Sequence, residues 1–184
     1  MNAPSESVVQ DMRRWLERAV IGLNLCPFAK AVHGKNQVHY AVSAATGPKE
    51  LLADLSGELD ALRALDPAAR ETTLLMAPLC LADFLDFNDF VAQADRVIRK
   101  RRLEGVIQLA SFHPQYQFAG TQADDITNCT NRAPYPTLHL LREASIERAV
   151  AAFPQAEAIY EANMDRLRTL GEQGWASLDV GRSA

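Results

Sequence analysis

The chain of 184 residues has few cysteines, no long apolar run and no surplus of positive charge, and each shortage removes a class of function. Its three cysteines, Cys26, Cys80 and Cys129, are far apart and form no C-x-x-C pair. That spacing speaks against a disulfide framework and a thiolate-only zinc site, and it suits a reducing cytoplasm. Asn128-Cys129-Thr130 has the form of a glycosylation acceptor, which is idle without export. No stretch of about 18 apolar residues occurs, so no membrane span is expected. The start, Met1 to Ser7, has no basic residue leading into an apolar run and does not read as a signal peptide.

Lysine and arginine number 19 against 23 acids, a net charge of −4. A general nucleic-acid binder needs a basic face to displace counterions, so none is expected here. The one basic run, Arg99-Lys100-Arg101-Arg102, falls in the last turn of an expected helix, where cations complement the helix dipole. The glycine-rich phosphate loops, H-E-x-x-H and G-x-S-x-G are also missing, so no nucleotide cofactor is implied. Thr46-Gly47-Pro48-Lys49, at a helix start, is what ordinary helix starts look like.

What is present is the composition of an average globular domain, 48% hydrophobic and 23% charged. Val8, Met12, Trp15, Leu16, Ala19 and Leu23 recur at helical spacing behind a Ser7-x-x-Gln10 capping pattern. Pro27 favours the opening of a second, short helix at Cys26. Val38 to Ser43 alternates as a half-exposed strand, and Thr73 to Ala77 is the continuous apolar run of a strand covered on both faces. Leu51, Leu55, Leu59 and Leu62 carry one helix. Phe87, Phe90, Ala94 and Ile98 carry another, with Asp86 as its expected cap. Val106 to Ala110 is a third strand.

This alternation implies a single α/β domain with a three-stranded, mainly parallel sheet and flanking helices. Strands are expected near 37–43, 73–77 and 106–111, with the second or third in the middle. Two C-terminal helices are expected, Leu138 to Phe153 and Gln155 to Leu170, separated by Pro154, with Gly171 ending the second. The core then spans about 8–171, and 172–184 is a weakly specified tail.

Between the third strand and those helices lies Phe112 to Pro136, a stretch without periodicity. Loops longer than about 12–15 residues are uncommon in compact domains and are often functional. This one carries aromatics, few charges and many short hydrogen-bonding side chains, which need partners once buried. Its His113 would follow the carboxyl end of a parallel strand, where open α/β sheets place ligands, with Thr46 and Cys80 at the same edge. His113 titrates near neutrality and suits general acid/base work. Asp125 is its candidate orienter, and Asn131 and Arg132 are a candidate clamp for an anion. Tyr116 is a further candidate contact. His139, expected in the first turn of the next helix, would have its pKa depressed by the helix dipole. A divalent metal at His113, Asp125 and His139 is conceivable, although the spacing matches no metal signature. Cys26, at a helix start, is a candidate nucleophile if His113 stands near it. Each residue also has a structural reading: a strand cap, a solvated turn, a packed core histidine, a small buried thiol.

Trp15-Leu-Glu-Arg-Ala-Val-Ile-Gly-Leu-Asn-Leu-Cys-Pro-Phe-Ala-Lys30 resembles the family called domain of unknown function 1415. So do Phe112 to Phe118 and Thr130 to Glu143. The resemblance covers most of the chain and implies one domain, but it implies no activity. Cys26, Pro27, His113, Asp125, Asn131, Arg132 and His139 match its motifs. The family pattern has tyrosine at Cys129 and serine at Ala133, which counts against a special role for Cys129.

The expected function is therefore a small cytoplasmic enzyme acting on a small polar or anionic metabolite in the 113–139 segment. The rival is a non-catalytic binding or assembly module whose partner meets the same loop.

Overall fold

The sheet runs β1 (Val38–Val42), β2 (Thr72–Met76), β4 (Thr137–Arg142), β3 (Ile107–Phe112) from edge to edge. It was obtained as a computed structural model, which describes residues 3–152 and 158–183. Around it pack α1 (Ala3–Trp15), α2 (Ala29–Gly34), α3 (Pro48–Ala64), α4 (Phe84–Lys100), α5 (Glu143–Ala152) and α6 (Ile159–Ser177). The α/β reading and the flanking helices hold. The strand count and the mainly parallel pairing do not.

β1 and β2 pair in parallel, whereas β4 is antiparallel to both β2 and β3. The three expected strands do point the same way, but β4 stands between the second and third. Thr137 to Arg142 carries Leu138, Leu140 and Leu141, and a strand covered on both faces loses its two-residue period. Its leucines ran on into Ile146 and Val150 of the following helix and read as one helical stretch. His139 consequently lies on a central strand, and no helix dipole acts on it.

Smaller corrections follow from local chemistry. Asp83, not Asp86, caps α4, accepting the N–H groups of Leu85 and Asp86 at 2.8 and 3.1 Å. Gly171, at φ +66°, interrupts α6, and the helix then resumes to Ser177. The expected break at Pro154 lies outside the described residues. In the basic run, Arg101 forms an ion pair with Asp60 of α3.

The two sheet faces divide the core. Leu75, Leu138, Leu140 and Ile107 meet α3 and α4, whose Leu51, Leu55, Leu59, Leu62, Phe87 and Phe90 are fully buried. Each such side chain contributes about 1.5–3 kcal/mol of burial. On the other face, Leu74 and Met76 meet Val8, Met12 and Trp15 of α1. The tail is fastened there too. Buried Asp11 accepts from Tyr135 Oη at 2.8 Å, Ser183 N at 3.0 Å and Ser183 Oγ at 2.6 Å. Nothing in the pattern of 172–184 announces this tie.

Beyond Trp15 the first helix widens into a π turn, Leu16–Ile21. Gly22 N–H and Leu25 N–H each reach back five residues, to Glu17 and Val20. A Cβ at Gly22 would collide with the Arg18 carbonyl, so glycine is required where this turn closes. α1 covers only part of its sheet face. The part left over is a cavity.

Candidate functional site

The expected site residues fall into separate environments. The His113 ring is buried against Phe84 and Phe87. Its Nδ1 accepts the Gln115 N–H at 3.0 Å, so Nε2 carries the proton and donates it to the Leu81 carbonyl, also at 3.0 Å. Desolvation holds its pKa below the usual histidine range. Both nitrogens are thus committed to backbone, in a pattern that folds the start of the loop.

The rest of the loop is organised by itself. Asp125 caps a short 3-10 helix, Ile126–Asn131, accepting from Thr127 Oγ1 at 2.7 Å and Thr127 N at 2.9 Å. Those two donors hold its carboxyl below the usual carboxylate range. Arg132 Nε donates to the Tyr116 carbonyl at 3.2 Å, and its Nη2 to the Ala123 carbonyl at 2.5 Å. Asn131 Nδ2 donates to the Ser111 carbonyl at 3.3 Å. The Tyr116 ring lies between Phe84 and Phe118. At the centre sits fully buried Asn128, which sequence reasoning passed over. Its Oδ1 accepts from Phe118 N and Thr121 Oγ1, and its Nδ2 donates to the Gln122 carbonyl. Among the described residues, no three histidine, cysteine, aspartate or glutamate side chains are grouped as metal ligands.

Cys26 and His139 meet elsewhere. Both line a cavity of about 650 Å³ under α2 and α5. Cross-strand pairing shows how its floor is built. Val38, Thr72, Leu141 and Gln108 form one row across the sheet, and Leu74, His139 and Ala110 the next. The cavity therefore lies toward the amino ends of β1, β2 and β3, away from the carboxyl edge where a ligand was expected. Trp15, Leu16, Val20 and Phe112 close one side, and Val32, Ile146 and Ala149 another. Its volume falls within the range of small-molecule sites, and its wall is mostly apolar as theirs are.

Two polar groups stand out on that wall. The Thr72 hydroxyl donates to the Leu140 carbonyl at 2.6 Å, so its oxygen can only accept from His139 Nε2, 2.8 Å away. This fixes the proton on Nε2. No group of the described residues bonds Nδ1. Nor is Nδ1 sealed off, because the one buried, unpartnered side-chain nitrogen or oxygen among those residues is Tyr40 Oη. Desolvation pushes the His139 pKa down to about 4, so the ring is neutral across the physiological range. Cys26 stands at the start of α2. Burial raises its pKa, in spite of the Phe28 and Ala29 N–H groups directed at it, and the thiol stays protonated.

The charges at the rim are engaged. Arg142 Nη2 caps the end of α3 through the carbonyls of Leu62 and Leu65 at 2.6 and 2.8 Å. Arg148 lies 3.8 Å from Glu71.

Residues 7–177 match the model of a family described as "Protein of unknown function (DUF1415)". The chain belongs to that family. The match spans the π turn, Cys26, the self-organised loop and β4, so the cavity with Cys26 and His139 lies wholly within it. No curated protein and no solved structure matches the chain. Among the described residues no helix is long and apolar enough to cross a membrane.

Proposed function

We propose that this family member is a cytoplasmic enzyme acting on a small molecule held in the cavity between the sheet and helices α2 and α5. His139 Nδ1 is the hydrogen-bond acceptor for that molecule, and Cys26 brings a thiol to the same wall. The observation that carries the proposal is His139 Nδ1, an acceptor that no group of the described residues bonds, on the wall of a mostly apolar cavity. Buried polar groups are normally satisfied, so an acceptor left open in such a place fits one reserved for a ligand. Cys26 lines the same cavity, so a molecule held at that nitrogen shares its wall with the thiol.

The metabolite expectation keeps its small-molecule part in this reading. Its anionic part has less support, because Arg132 Nε and Nη2 already bond carbonyls of the loop. The assembly-module alternative loses support for the same reason, since the loop's polar groups bond one another.

A thermal-shift screen of metabolites tests the site. Compounds that raise the melting temperature of the wild type should lose that effect in His139→Ala and keep it in Arg132→Ala. Turnover of those compounds should fail in Cys26→Ser. Hits that survive His139→Ala but vanish in Arg132→Ala would return the site to the loop.

A further inference from the structure

The wall of the cavity restricts what can enter it, given the reading that it is the ligand site. A charged ligand must shed its hydration, and it recovers that cost only by meeting an opposite charge. Among the described residues, the charges on the wall already have partners within the protein. Arg142 is held by the carbonyls at the end of α3, and Arg148 is shared between Glu71 and Ser145 Oγ. An apolar body suits Leu74, Phe112, Leu141 and Ile146. On that apolar wall the polar end of the ligand has the His139 imidazole to meet, with the Gln108 amide farther along the floor.

Which polar end fits is decided one residue away. The Thr72 proton is committed to the Leu140 carbonyl, in the hydrogen-bonded register of β2 with β4. Its oxygen can only accept, so Nε2–H is spent on it and Nδ1 has no proton to give. A carbonyl, ether or carboxylate at that point would set two acceptors against each other. An O–H or N–H would complete the bond.

We propose that the cavity takes an uncharged molecule with an apolar body and one O–H or N–H donor. Thr72 is the positioning residue that sets this preference by locking the His139 tautomer.

Three probes of the same shape test this by isothermal titration calorimetry at neutral pH: para-butylphenol, its methyl ether and para-butylbenzoate. The phenol should bind, with the ether about tenfold weaker, the worth of one hydrogen bond. The benzoate should be weaker again. In Thr72→Val the imidazole is free to move its proton, and the advantage of phenol over ether should fall to about threefold or less. Thr72→Ser, which keeps the hydroxyl, should restore it, a result that a packing role for Thr72 would not give. If ether or benzoate binds as tightly as the phenol, the donor preference is wrong while the cavity stands as the site. If none of the three binds or protects Cys26 from alkylation by N-ethylmaleimide, the cavity is not the site and the inference falls with it.

Discussion

The loop from His113 to Pro136 and the cavity beside β4 distribute polarity in opposite ways. The loop is rich in polar side chains, and nearly all of those singled out by sequence are used up within it. The cavity is poorer in them, and its central one keeps an acceptor that no group of the described residues bonds. The contrast shows that a dense run of hydrogen-bonding residues can mark a segment that folds by mutual satisfaction. A site is marked by what remains unsatisfied once that is done.

The comparison breaks most readily at Asn128. Asn128→Ala removes the bonds to Phe118 N–H and the Gln122 carbonyl at a fully buried position, with the share of the Thr121 proton not held by the Phe118 carbonyl, and strands the Phe118 N–H. We expect a loss of about 3 kcal/mol, or about 10 °C in melting temperature, for a domain of this size. Binding in the cavity should be unchanged in the folded fraction. Thermal unfolding paired with calorimetry on the same sample checks both, and a small stability change would mean the loop is not held from this residue.

The pH dependence of stability is next in size. The folded-state pKa of His139, pushed down to about 4, is below its unfolded value of about 6.5. As pH falls, the unfolded chain takes up the proton first. The neutral ring's contribution is therefore complete above about pH 6.5, and is lost progressively toward pH 4. Because the ring faces an open cavity, solvent screens the effect, and about 1–2 kcal/mol is expected. His113 shifts in the same direction, so His139→Gln should flatten only part of the slope. Below about pH 4 a further loss begins at Asp11. Burial pushes its carboxyl up, but the donors from Ser183, Tyr135 and Arg14 outweigh that and hold it below the usual range. Urea titrations across the acid range resolve these slopes, and identical slopes for wild type and His139→Gln would remove His139 from the account.

How much of this could be read in the residues differs between the regions for the same physical reason. Helices α1, α3 and α4 and strand β1 expose one side, so their periods are visible in the chain, and β2, buried throughout, shows instead as an unbroken apolar run. β4 does not, and its hidden alternation of Thr137, His139 and Leu141 against Leu138 and Leu140 took the sheet topology with it. The loop was recognised as ordered from its composition, yet composition cannot say whether the partner of a polar group is a ligand or a neighbour's carbonyl. Cys26 and His139 were both singled out as candidates, but with His113 as the thiol's expected neighbour. The cavity they share was illegible, because its wall is assembled from separated stretches in which each residue reads as ordinary core.

Arg132→Ala sharpens the loop side with a smaller effect. The side chain links the Tyr116 and Ala123 carbonyls, so its loss should cost about 1–1.5 kcal/mol, or about 3–5 °C. Ligand affinity should stay within about twofold, whereas loss of a clamp would cost about tenfold or more. A stable protein that no longer binds its ligand would place the guanidinium in the site after all.

The smallest expected change in stability comes from filling the cavity. Ala110 stands directly across from His139 in the β3–β4 register, at the spacing where side chains touch. Ala110→Leu would add its branched end beside the imidazole, in space that the wall leaves open. Filling an apolar void gains up to about 1 kcal/mol, while crowding the ring works against that gain, so stability should change by less than this in either direction. Binding has no such compensation, since the added atoms occupy the position of the ligand's polar end. Affinity should fall at least about tenfold, with the pH slope of stability kept. The outcome separates the two regions cleanly, because this variant leaves every loop hydrogen bond in place. If it unfolds at the wild-type temperature and still binds the ligand as tightly, the molecule's site is not the cavity.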